Sequence, residues 1–399
     1  MANADALTAA PSEFSLAPRL EQAGFVALMG VAAALQLSIA VAQSCLAIAI
    51  LCWAALVTGR RERIDAPGFF TALIVLGAWT LVSAAFSPQP RVSFVDSKQL
   101  LLFLTVPLTY RLATGQRATW LLLVVVSVGA ASAALGIVQY GILHYDHLGQ
   151  RPRGLLGHYM TYSGLLMLVI GAALAQLLFG ARSRVWAALV MPALAVAVAL
   201  TFTRSAWVGA CAAAAVLLAL KDLRLMAILP VLVAVFIALA PSSVTARFVS
   251  IFDLKDPTNR DRVAMMREGV RMIRSRPLVG VGPNMVEALY AEYRDPGAVE
   301  QVNPHLHNVP MQIAAERGVP ALIVWLGFVV MVLVELGRGL RSGGLPRALG
   351  AAALAAMVAM LSAGLFEYNF GDSEFLMLLL LLITLPFAAT RPLVRHAQT

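Results

Sequence analysis

Residues 119–143 read TWLLLVVVSVGAASAALGIVQYGIL, a run without a single charged side chain. At the rise of an α-helix, about 20 such residues cross a hydrocarbon core of about 30 Å. A segment inside lipid must satisfy its own backbone N–H and C=O groups, and a β-barrel would need short segments of alternating polarity instead. This stretch therefore predicts a membrane-spanning helix, and similar stretches recur along the chain.

The composition extends this conclusion to the whole chain of 399 residues. Hydrophobic residues make up 60% of it and charged residues 13%, with a mean hydropathy of +0.81. Soluble globular chains are about 45–50% apolar and about 25% charged. We therefore predict an all-α polytopic membrane protein of about twelve transmembrane helices. The predicted spans are residues 23–42, 44–58, 69–86, 99–113, 119–143, 158–180, 184–202, 204–220, 224–240, 312–335, 347–366 and 372–390.

Basic residues predict how these spans are oriented. Twelve spans place both termini on one side, and the connections on that side are rich in arginine, whereas the short connections opposite are poor in it. The positive-inside rule then makes both termini cytoplasmic, and the net charge of +9 reflects topology and anionic lipid and gives no reason to invoke nucleic acid. The terminal side carries Arg19, Arg60, Arg61, Arg63, Arg111, Arg117, Arg182, Arg184, Lys221, Arg224, Arg338, Arg341, Arg347, Arg391 and Arg395; the opposite side carries Arg91, Lys98, Arg151, Arg153 and Arg204.

One long polar segment, residues 241–311, interrupts the spans. It divides the chain into transmembrane helices 1–9 in residues 1–240, a helical segment on the outer side, and transmembrane helices 10–12 in residues 312–399. A tract of this length between spans is usually functional. We therefore expect the segment to carry part of an active site.

A helix is predicted within this segment. Asp256-Pro257-Thr258 is typical of a helix start and Arg276-Pro277 of a helix stop. Val263, Met266, Val270 and Ile273 form an apolar stripe, and Arg260, Arg267, Arg271 and Arg274 line the adjacent face. Such a helix is expected to lie along the outer membrane surface.

Two histidines, in His305-Leu306-His307-Asn308, end the segment just before the next span. A histidine at the membrane–water boundary suits general-base catalysis because its pKa lies near the operating pH. An interfacial histidine without a role explains the same residues. A metal would need further ligands, and no carboxylate or cysteine stands at a familiar spacing.

Arg204 stands between two apolar stretches with almost no loop around it. A guanidinium near the bilayer is costly and usually faces a cavity and meets an anion, and its planar fork suits phosphate. An arginine snorkelling from a span end is the alternative. Arg262 is a second candidate, and Arg151, Arg153 and Lys98 complete a basic set on the outer side. If these residues converge, they form an anion site over the membrane surface.

Several familiar catalytic motifs do not occur. The chain has no nucleotide-phosphate loop, no Asp-x-Asp pair and no Gly-x-Ser-x-Gly elbow. An outer-facing site also lacks access to cytoplasmic nucleotides. Any transferred group should therefore arrive already activated, most simply on a lipid carrier.

The order of these residues resembles the O-antigen ligase and polymerase superfamily of bacterial envelope enzymes. Thr203-Arg204-Ser205-Ala206-Trp207 matches the family's arginine segment at a span start, and Arg262 opens a helix that leads to Pro277-Leu278-Val279-Gly280-Val281-Gly282. His307-Asn308 is followed by Glu316 and Gly318, and Arg153-Gly154 resembles an upstream family turn.

The resemblance implies a metal-independent, inverting glycosyltransferase of the GT-C-like, helical-membrane type. It would move a polysaccharide from undecaprenyl pyrophosphate to lipid A–core oligosaccharide on the periplasmic face of the bacterial inner membrane, without a cofactor. In these terms His307 is the base, and Arg204 and Arg262 bind the pyrophosphate. His305, Arg153 and Lys98 are further candidates for orienting the base or binding phosphate.

The motifs leave other functions open. An O-antigen polymerase would use a second lipid-linked glycan as the acceptor, and a protein O-oligosaccharyltransferase would use a protein. A transporter or flippase would also show intramembrane arginines, but such proteins often carry internal repeats, and no obvious repeat occurs here.

Overall fold

A computed structural model describes residues 17–60, 62–181, 183–253 and 255–392. Over these residues the backbone is mostly helical and contains no β-strand, which confirms the predicted all-α fold. Arg61, Arg182 and Arg395, which entered the predicted orientation, lie outside the described residues. The α-helices are α1 Ala17–Ala34, α2 Ile39–Arg60, α3 Phe70–Ala85, α4 Pro90–Asp96, α5 Thr105–Leu112, α6 Gln116–Gly141, α7 Tyr159–Phe179, α8 Arg184–Leu200, α9 Arg204–Lys221, α10 Ile228–Leu239, α11 Ser242–Val249, α12 Pro257–Ser275, α13 Met285–Ala288, α14 Tyr290–Tyr293, α15 Val309–Arg341, α16 Arg347–Ala363 and α17 Ser373–Thr390.

The apolar helices coincide with the predicted spans. Within the described residues, seven helical stretches are long and apolar enough to cross a membrane, and α1 and four shorter apolar stretches account for the remaining predicted spans. The prediction of a polytopic helical membrane protein is therefore confirmed. The seven are Ile39–Gly59, Pro90–Leu112, Gln116–Gly141, Tyr159–Phe179, Arg204–Lys221, Val309–Arg341 and Ser373–Thr390.

The boundary predicted between the first two spans is wrong. The span 23–42 was expected to be continuous, but α1 ends at Ala34 and α2 begins at Ile39. The turn between them keeps Leu35 and Gln36 buried. The turn carries no charge and only two polar residues, Gln36 and Ser38, so a hydropathy profile averaged over a span gives no clear sign of the break.

The centre of the bundle is built from α7, α16 and α17, which pack against one another, and α9 packs on α16. Small residues allow the close approach of these helices. A Cβ on Gly209 of α9 would lie 2.9 Å from the carbonyl oxygen of Ala359 in α16, and one on Gly171 of α7 would lie 3.4 Å from the Cβ of Ala355. Helices in lipid associate through such close packing because lipid tails are as apolar as leucine.

Helix α15 is broken at Gly318, whose φ of 82° is open to glycine but strained for other residues. The break frees backbone carbonyl groups that must find partners inside the protein. The N–H of Val281 donates to the carbonyl of Ala315 and that of Gly282 to the carbonyl of Glu316, each at 2.8 Å. A Cβ on Gly318 would lie 2.0 Å from the carbonyl oxygen of Leu278. The two glycine motifs of the sequence therefore form one backbone junction.

Helix α12 ends at Ser275, directly before the predicted stop, and begins at Pro257, within the predicted start signal. Asp256 is its N-cap, accepting hydrogen bonds from the backbone N–H groups of Thr258 and Asn259 at 3.0 and 3.2 Å. The helix packs against α15. Its buried apolar residues, Ala264, Met265 and Met272, lie outside the predicted apolar stripe.

Three of the four residues of that predicted stripe are exposed, whereas Ile273 packs against the buried residues around Met265 and Met272. The exposed fractions of Val263, Met266 and Val270 are 44%, 50% and 37%. An apolar face flanked by arginines is typical of a helix at a membrane surface, so this placement of α12 stays a prediction that the exposure supports.

Candidate active site

His307 is held where the start of α15 meets the connection between α16 and α17. Asn308 caps α15 with its side-chain oxygen and donates through Nδ2 to the carbonyl of Leu365 at 3.0 Å. The N–H of Val309 donates to the carbonyl of Gly364 at 2.7 Å. His307 itself has a φ of 47°, a conformation that non-glycine residues adopt rarely and that clusters at functional sites.

These contacts bring His307 against Glu367, a residue that sequence reasoning missed. The Nδ1 atom of His307 lies 3.0 and 2.9 Å from the two carboxylate oxygens of Glu367. Although burial opposes its charge, the hydrogen-bonded His307 and the nearby His305 and Arg262 lower the pKa of Glu367 to about 2. An ionised carboxylate only accepts hydrogen bonds, so Nδ1 carries a hydrogen, and in the neutral tautomer of His307 the lone pair is on Nε2. The pair has the geometry of a general base with its orienting carboxylate.

His305 lies beside this pair. Its ring centroid is 4.2 Å from that of His307, and its Nε2 is 3.9 Å from Glu367 Oε1. Its buried Nδ1 has no hydrogen-bond partner among the described residues. Burial, reinforced by His307, lowers the pKa of His305 to about 4, so this histidine is neutral at pH 7.

The same three side chains could hold a metal ion. One ligand atom from each of His305, His307 and Glu367 lies within 4.8 Å of the others. No carboxylate stands near the two histidines in the sequence at a spacing familiar from metal sites. The fold brings in Glu367, which is 60 residues from His307 along the chain. Neutral imidazole and carboxylate suit several divalent metals, so a metal and a proton acceptor are competing uses of one cluster.

Arg204 is buried at the first turn of α9, with an exposed fraction of 5%. Its guanidinium donates to the carbonyl and hydroxyl oxygens of Ser250 at 2.9 and 3.1 Å, and lies 3.4 Å from Asp256. It therefore ties the membrane bundle to the start of the polar segment. The guanidinium is therefore buried and bonded inside the protein, and it does not extend to the membrane surface as the snorkelling alternative requires.

Arg204 shares a cavity of about 330 Å³ with three further arginines: Arg151, Arg247 and Arg262. We call this the basic cavity. Burial lowers the pKa of Arg262, and burial together with Arg204 and Arg151 lowers that of Arg247 to about 10. The buried Nε of Arg247 has no hydrogen-bond partner among the described residues. Mutual repulsion and an unpaired donor are what an anion would relieve.

Three carboxylates also line the basic cavity, but two of them already accept hydrogen bonds from other groups of the protein. Asp261 accepts hydrogen bonds from the backbone of Val299 and Glu300 and from the side chain of Asn303, and Glu367 accepts from His307. The third, Glu300, is exposed. The arginines therefore keep an excess of positive charge toward the cavity.

A second cavity, of about 310 Å³, lies on the other side of Glu367. We call it the polar cavity. Met160, Thr203, Ser205 and Glu367 line both cavities, while His307 lines the basic one and His305 the polar one. The histidine–glutamate cluster is thus part of the wall between them.

The structure brings together some of the residues chosen from the sequence and leaves others apart. His307, Arg204 and Arg262 line the basic cavity, and His305 lines the polar cavity. Arg153 and Lys98 are exposed and line neither cavity. The backbone N–H of Arg153 donates a hydrogen bond to the side-chain oxygen of Gln139.

The remaining residues of the site, Arg151, Arg247 and Glu367, differ in how clearly their sequence context marks them. Arg151 belonged to the predicted basic set and lies with its guanidinium 4.2 Å from the ring centroid of Tyr159. Arg247 was not singled out, because an arginine inside a polar segment is unremarkable in sequence. Glu367, a carboxylate in a short connection between two apolar helices, was itself a signal available in the sequence.

Residues 187–326 match a family model described as O-antigen ligase. No curated protein matches the chain. The matched segment includes Arg204, Arg262 and His307, whereas Glu367 lies beyond it. The match supports the O-antigen ligase family assignment that the motifs indicated, and with it a ligase- or polymerase-type function and a glycosyltransferase-like enzyme.

Proposed function

From the O-antigen ligase family match, we propose that the protein transfers a polysaccharide from undecaprenyl pyrophosphate to lipid A–core oligosaccharide. The observation that carries the proposal is the His307–Glu367 pair on the wall of a cavity lined by four arginines. A proton acceptor and an anion site are the two groups that this transfer requires. Both lie at the junction of the polar segment and the bundle.

The basic cavity suits the pyrophosphate of the donor. Negative charge grows on the leaving oxygen as the glycosidic bond breaks, and fixed cationic donors stabilise it. Arg262 carries more available charge than Arg204 or Arg247, since Arg204 already donates to Ser250 and Asp256, and Arg247 lies 3.6 Å from Asp256. In this proposal Arg204 holds the polar segment in place as well as contributing charge.

In the transfer step, the acceptor hydroxyl oxygen attacks the anomeric carbon and its proton passes to Nε2 of His307. The bond from that carbon to the phosphate oxygen breaks, and its electron pair leaves with undecaprenyl pyrophosphate. Glu367 stabilises the imidazolium that forms, as a carboxylate does beside a histidine base. Attack from the face opposite the leaving group inverts the anomeric centre.

An apolar groove of about 320 Å³ lies next to this centre and suits the polyprenyl chain. Val309 and Leu365, each two residues from the catalytic pair, line it together with Leu326 and Leu361. Its lining is almost entirely apolar, as a lipid tail requires. The proposal therefore assigns the tail and the pyrophosphate to adjoining surfaces.

The orientation proposed from the sequence follows the same logic. Both termini are cytoplasmic by the distribution of basic residues, so the two cavities face the periplasm across the inner membrane. An exposed apolar stripe on α12, formed by Val263, Met266 and Val270, would then rest on the outer leaflet. The donor and acceptor are both lipid-anchored and reach the site in that plane.

The proposal is tested with purified protein in proteoliposomes, undecaprenyl-pyrophosphate-linked glycan and lipid A–core, with EDTA and without nucleotide. We expect glycan-bearing lipid A–core, seen as a mass shift on a gel. Extension only of a second lipid-linked glycan would identify a polymerase and overturn the choice of acceptor. Transfer that needs an added divalent metal would assign His305, His307 and Glu367 to a metal site and remove the proton-acceptor mechanism.

A further inference from the structure

The polar cavity holds buried polar groups without partners. Asn369 lies in the short helical turn Asn369–Gly371 with an exposed fraction of 7%. Neither its Oδ1 nor its Nδ2 has a hydrogen-bond partner among the described residues, and the same is true of Nδ1 of His305. Both side chains line the cavity. An unpaired buried amide is costly, so these groups indicate that a ligand offers both a donor and an acceptor.

The charge of the cavity lining restricts what that ligand is. Asp96, Glu316, Glu367 and Asp372 line the cavity, and no described lysine or arginine does. Arg317 is close by, but it is bonded to Glu316 at 2.9 Å and lies 3.4 Å from the hydroxyl of Tyr368. A phosphate or carboxylate placed here would therefore meet four carboxyl groups and find no lysine or arginine to bind it among the described residues of the lining.

The two histidines of the lining, His158 and His305, differ in their hydrogen bonds. Nδ1 of His158 accepts the N–H of Met160 and caps α7, whereas Nδ1 of His305 has no partner among the described residues. Hydroxyl groups, which both donate to carboxylates and accept from an amide, fit this lining.

We propose that the polar cavity binds the acceptor sugar, selects a ring that carries hydroxyl groups and no phosphate or carboxylate, and uses Asn369 to do so. This inference rests on the proposed function, because it assigns the acceptor to the cavity beside the one that takes the donor. Glu367 lines both cavities, so a hydroxyl in the polar cavity lies next to Glu367, the carboxylate partner of His307. The basic cavity thereby takes the anionic part of the donor, and the polar cavity, which no described arginine or lysine lines, takes the uncharged acceptor.

The experiment compares two lipid A–core acceptors that differ only in the terminal hexose, unmodified in one and phosphorylated in the other. Wild-type protein should use the unmodified acceptor with a kcat/KM at least about tenfold higher. Asn369→Ala should raise the KM for the unmodified acceptor by about tenfold or more, the cost of leaving bound hydroxyls unpaired, while donor affinity and melting temperature stay at wild-type values.

A second variant tests the charge argument. Asp96→Asn removes one carboxylate from the lining and should reduce the discrimination against the phosphorylated acceptor. Asp96 is half-buried, so the substitution changes charge with little change in volume. Glu292→Gln is the charge-matched control, because Glu292 is an exposed residue of α14 that lines neither cavity. This control should discriminate between the two acceptors as the wild-type protein does.

The outcomes separate the two proposals. No transfer to either acceptor, with intact donor binding, would overturn the proposed function itself. Transfer that proceeds equally well to both acceptors, or an Asn369→Ala variant with an unchanged acceptor KM, would overturn the assignment of the polar cavity and leave the proposed function standing. If Asn369→Ala lowers the melting temperature, Asn369→Asp keeps the shape and the acceptor oxygen, and it should still raise the acceptor KM.

Discussion

Replacing Glu367 by glutamine tests the catalytic pair most directly. The carboxylate accepts the Nδ1–H of His307 at 2.9 Å, and glutamine keeps the size of the side chain while removing its charge. A hydrogen bond to a charged group contributes about 1.5–3 kcal/mol. The attraction between an imidazolium and a carboxylate about 4 Å apart is about 4 kcal/mol at an effective dielectric constant of about 20.

These two magnitudes set the expected loss of activity. At about 1.4 kcal/mol per tenfold change in rate, they correspond to a decrease in kcat of about 10- to 10³-fold for Glu367→Gln. Donor KM should stay constant or fall, because the substitution removes a negative charge near Arg262. Initial rates of glycan transfer over a range of donor concentrations separate kcat from KM. Glu292→Gln, which changes an exposed glutamate in α14, is the matched control and should retain wild-type kcat.

A double mutant sharpens the test, because Glu367 is argued to act through His307. His307→Ala alone and His307→Ala combined with Glu367→Gln should then have equal kcat, since residues that act as a unit are strongly non-additive. A Glu367→Gln variant within about threefold of wild-type kcat would refute the reasoning. So would a His307→Ala variant with near-normal transfer beside an inactive His305→Ala, which would transfer the role of base to His305.

Three other predictions concern the donor site, the broken helix and acid stability. Arg262→Ala should lower kcat by about 10²–10³-fold through the loss of charge stabilisation. The control is Arg260→Ala, which changes an exposed arginine two residues earlier in α12 and should keep wild-type kcat. Equal losses of kcat for the two variants in a transfer assay would argue against a specific anion site. Gly318→Ala should destabilise the protein by at least about 1–3 kcal/mol because of its positive φ, while Gly327→Ala, whose added Cβ meets nothing within 4 Å, should leave the melting temperature in detergent unchanged or raised. Burial lowers the pKa of His305 to about 4 in the folded protein, whereas the unfolded chain binds a proton at this residue near pH 6.5. The free energy of unfolding should therefore fall by up to roughly 3 kcal/mol between pH 6.5 and 4. Thermal melting across that range should show a smaller fall for His305→Asn, and an identical fall would contradict this account.

Local signals in the sequence predicted the helices well. The caps of α12 depend on Asp256, Pro257 and Arg276, which act on their immediate neighbours, so the boundaries could be placed from the sequence. The break between α1 and α2 could not, because the turn around Leu35 is uncharged and its two polar residues, Gln36 and Ser38, hardly change the average hydropathy of the span. Hydropathy measures the preference for lipid and does not mark where a chain turns inside a protein.

The arrangement of the candidate site was only partly predictable. The types of residue expected at an anion site and a base were identified in Arg204, Arg262 and His307, and all three line one cavity. Arg153 was preferred to Arg151 without a physical reason to separate them, and the structure places Arg151 in the cavity and Arg153 outside it. A difference of two residues along an irregular loop decides which side chain points inward, and spacing does not report it.

The sequence by itself determined that this is a helical membrane protein with a long polar segment, because the free energy of placing each stretch in lipid depends on that stretch alone. Only the tertiary structure decided that the segment's histidines meet Glu367, some 60 residues further along the chain. The hydrogen bonds that Asn308 and Val309 donate to the connection between α16 and α17 position this contact. Packing between distant elements therefore converts a polar segment into one wall of a site that the bundle completes.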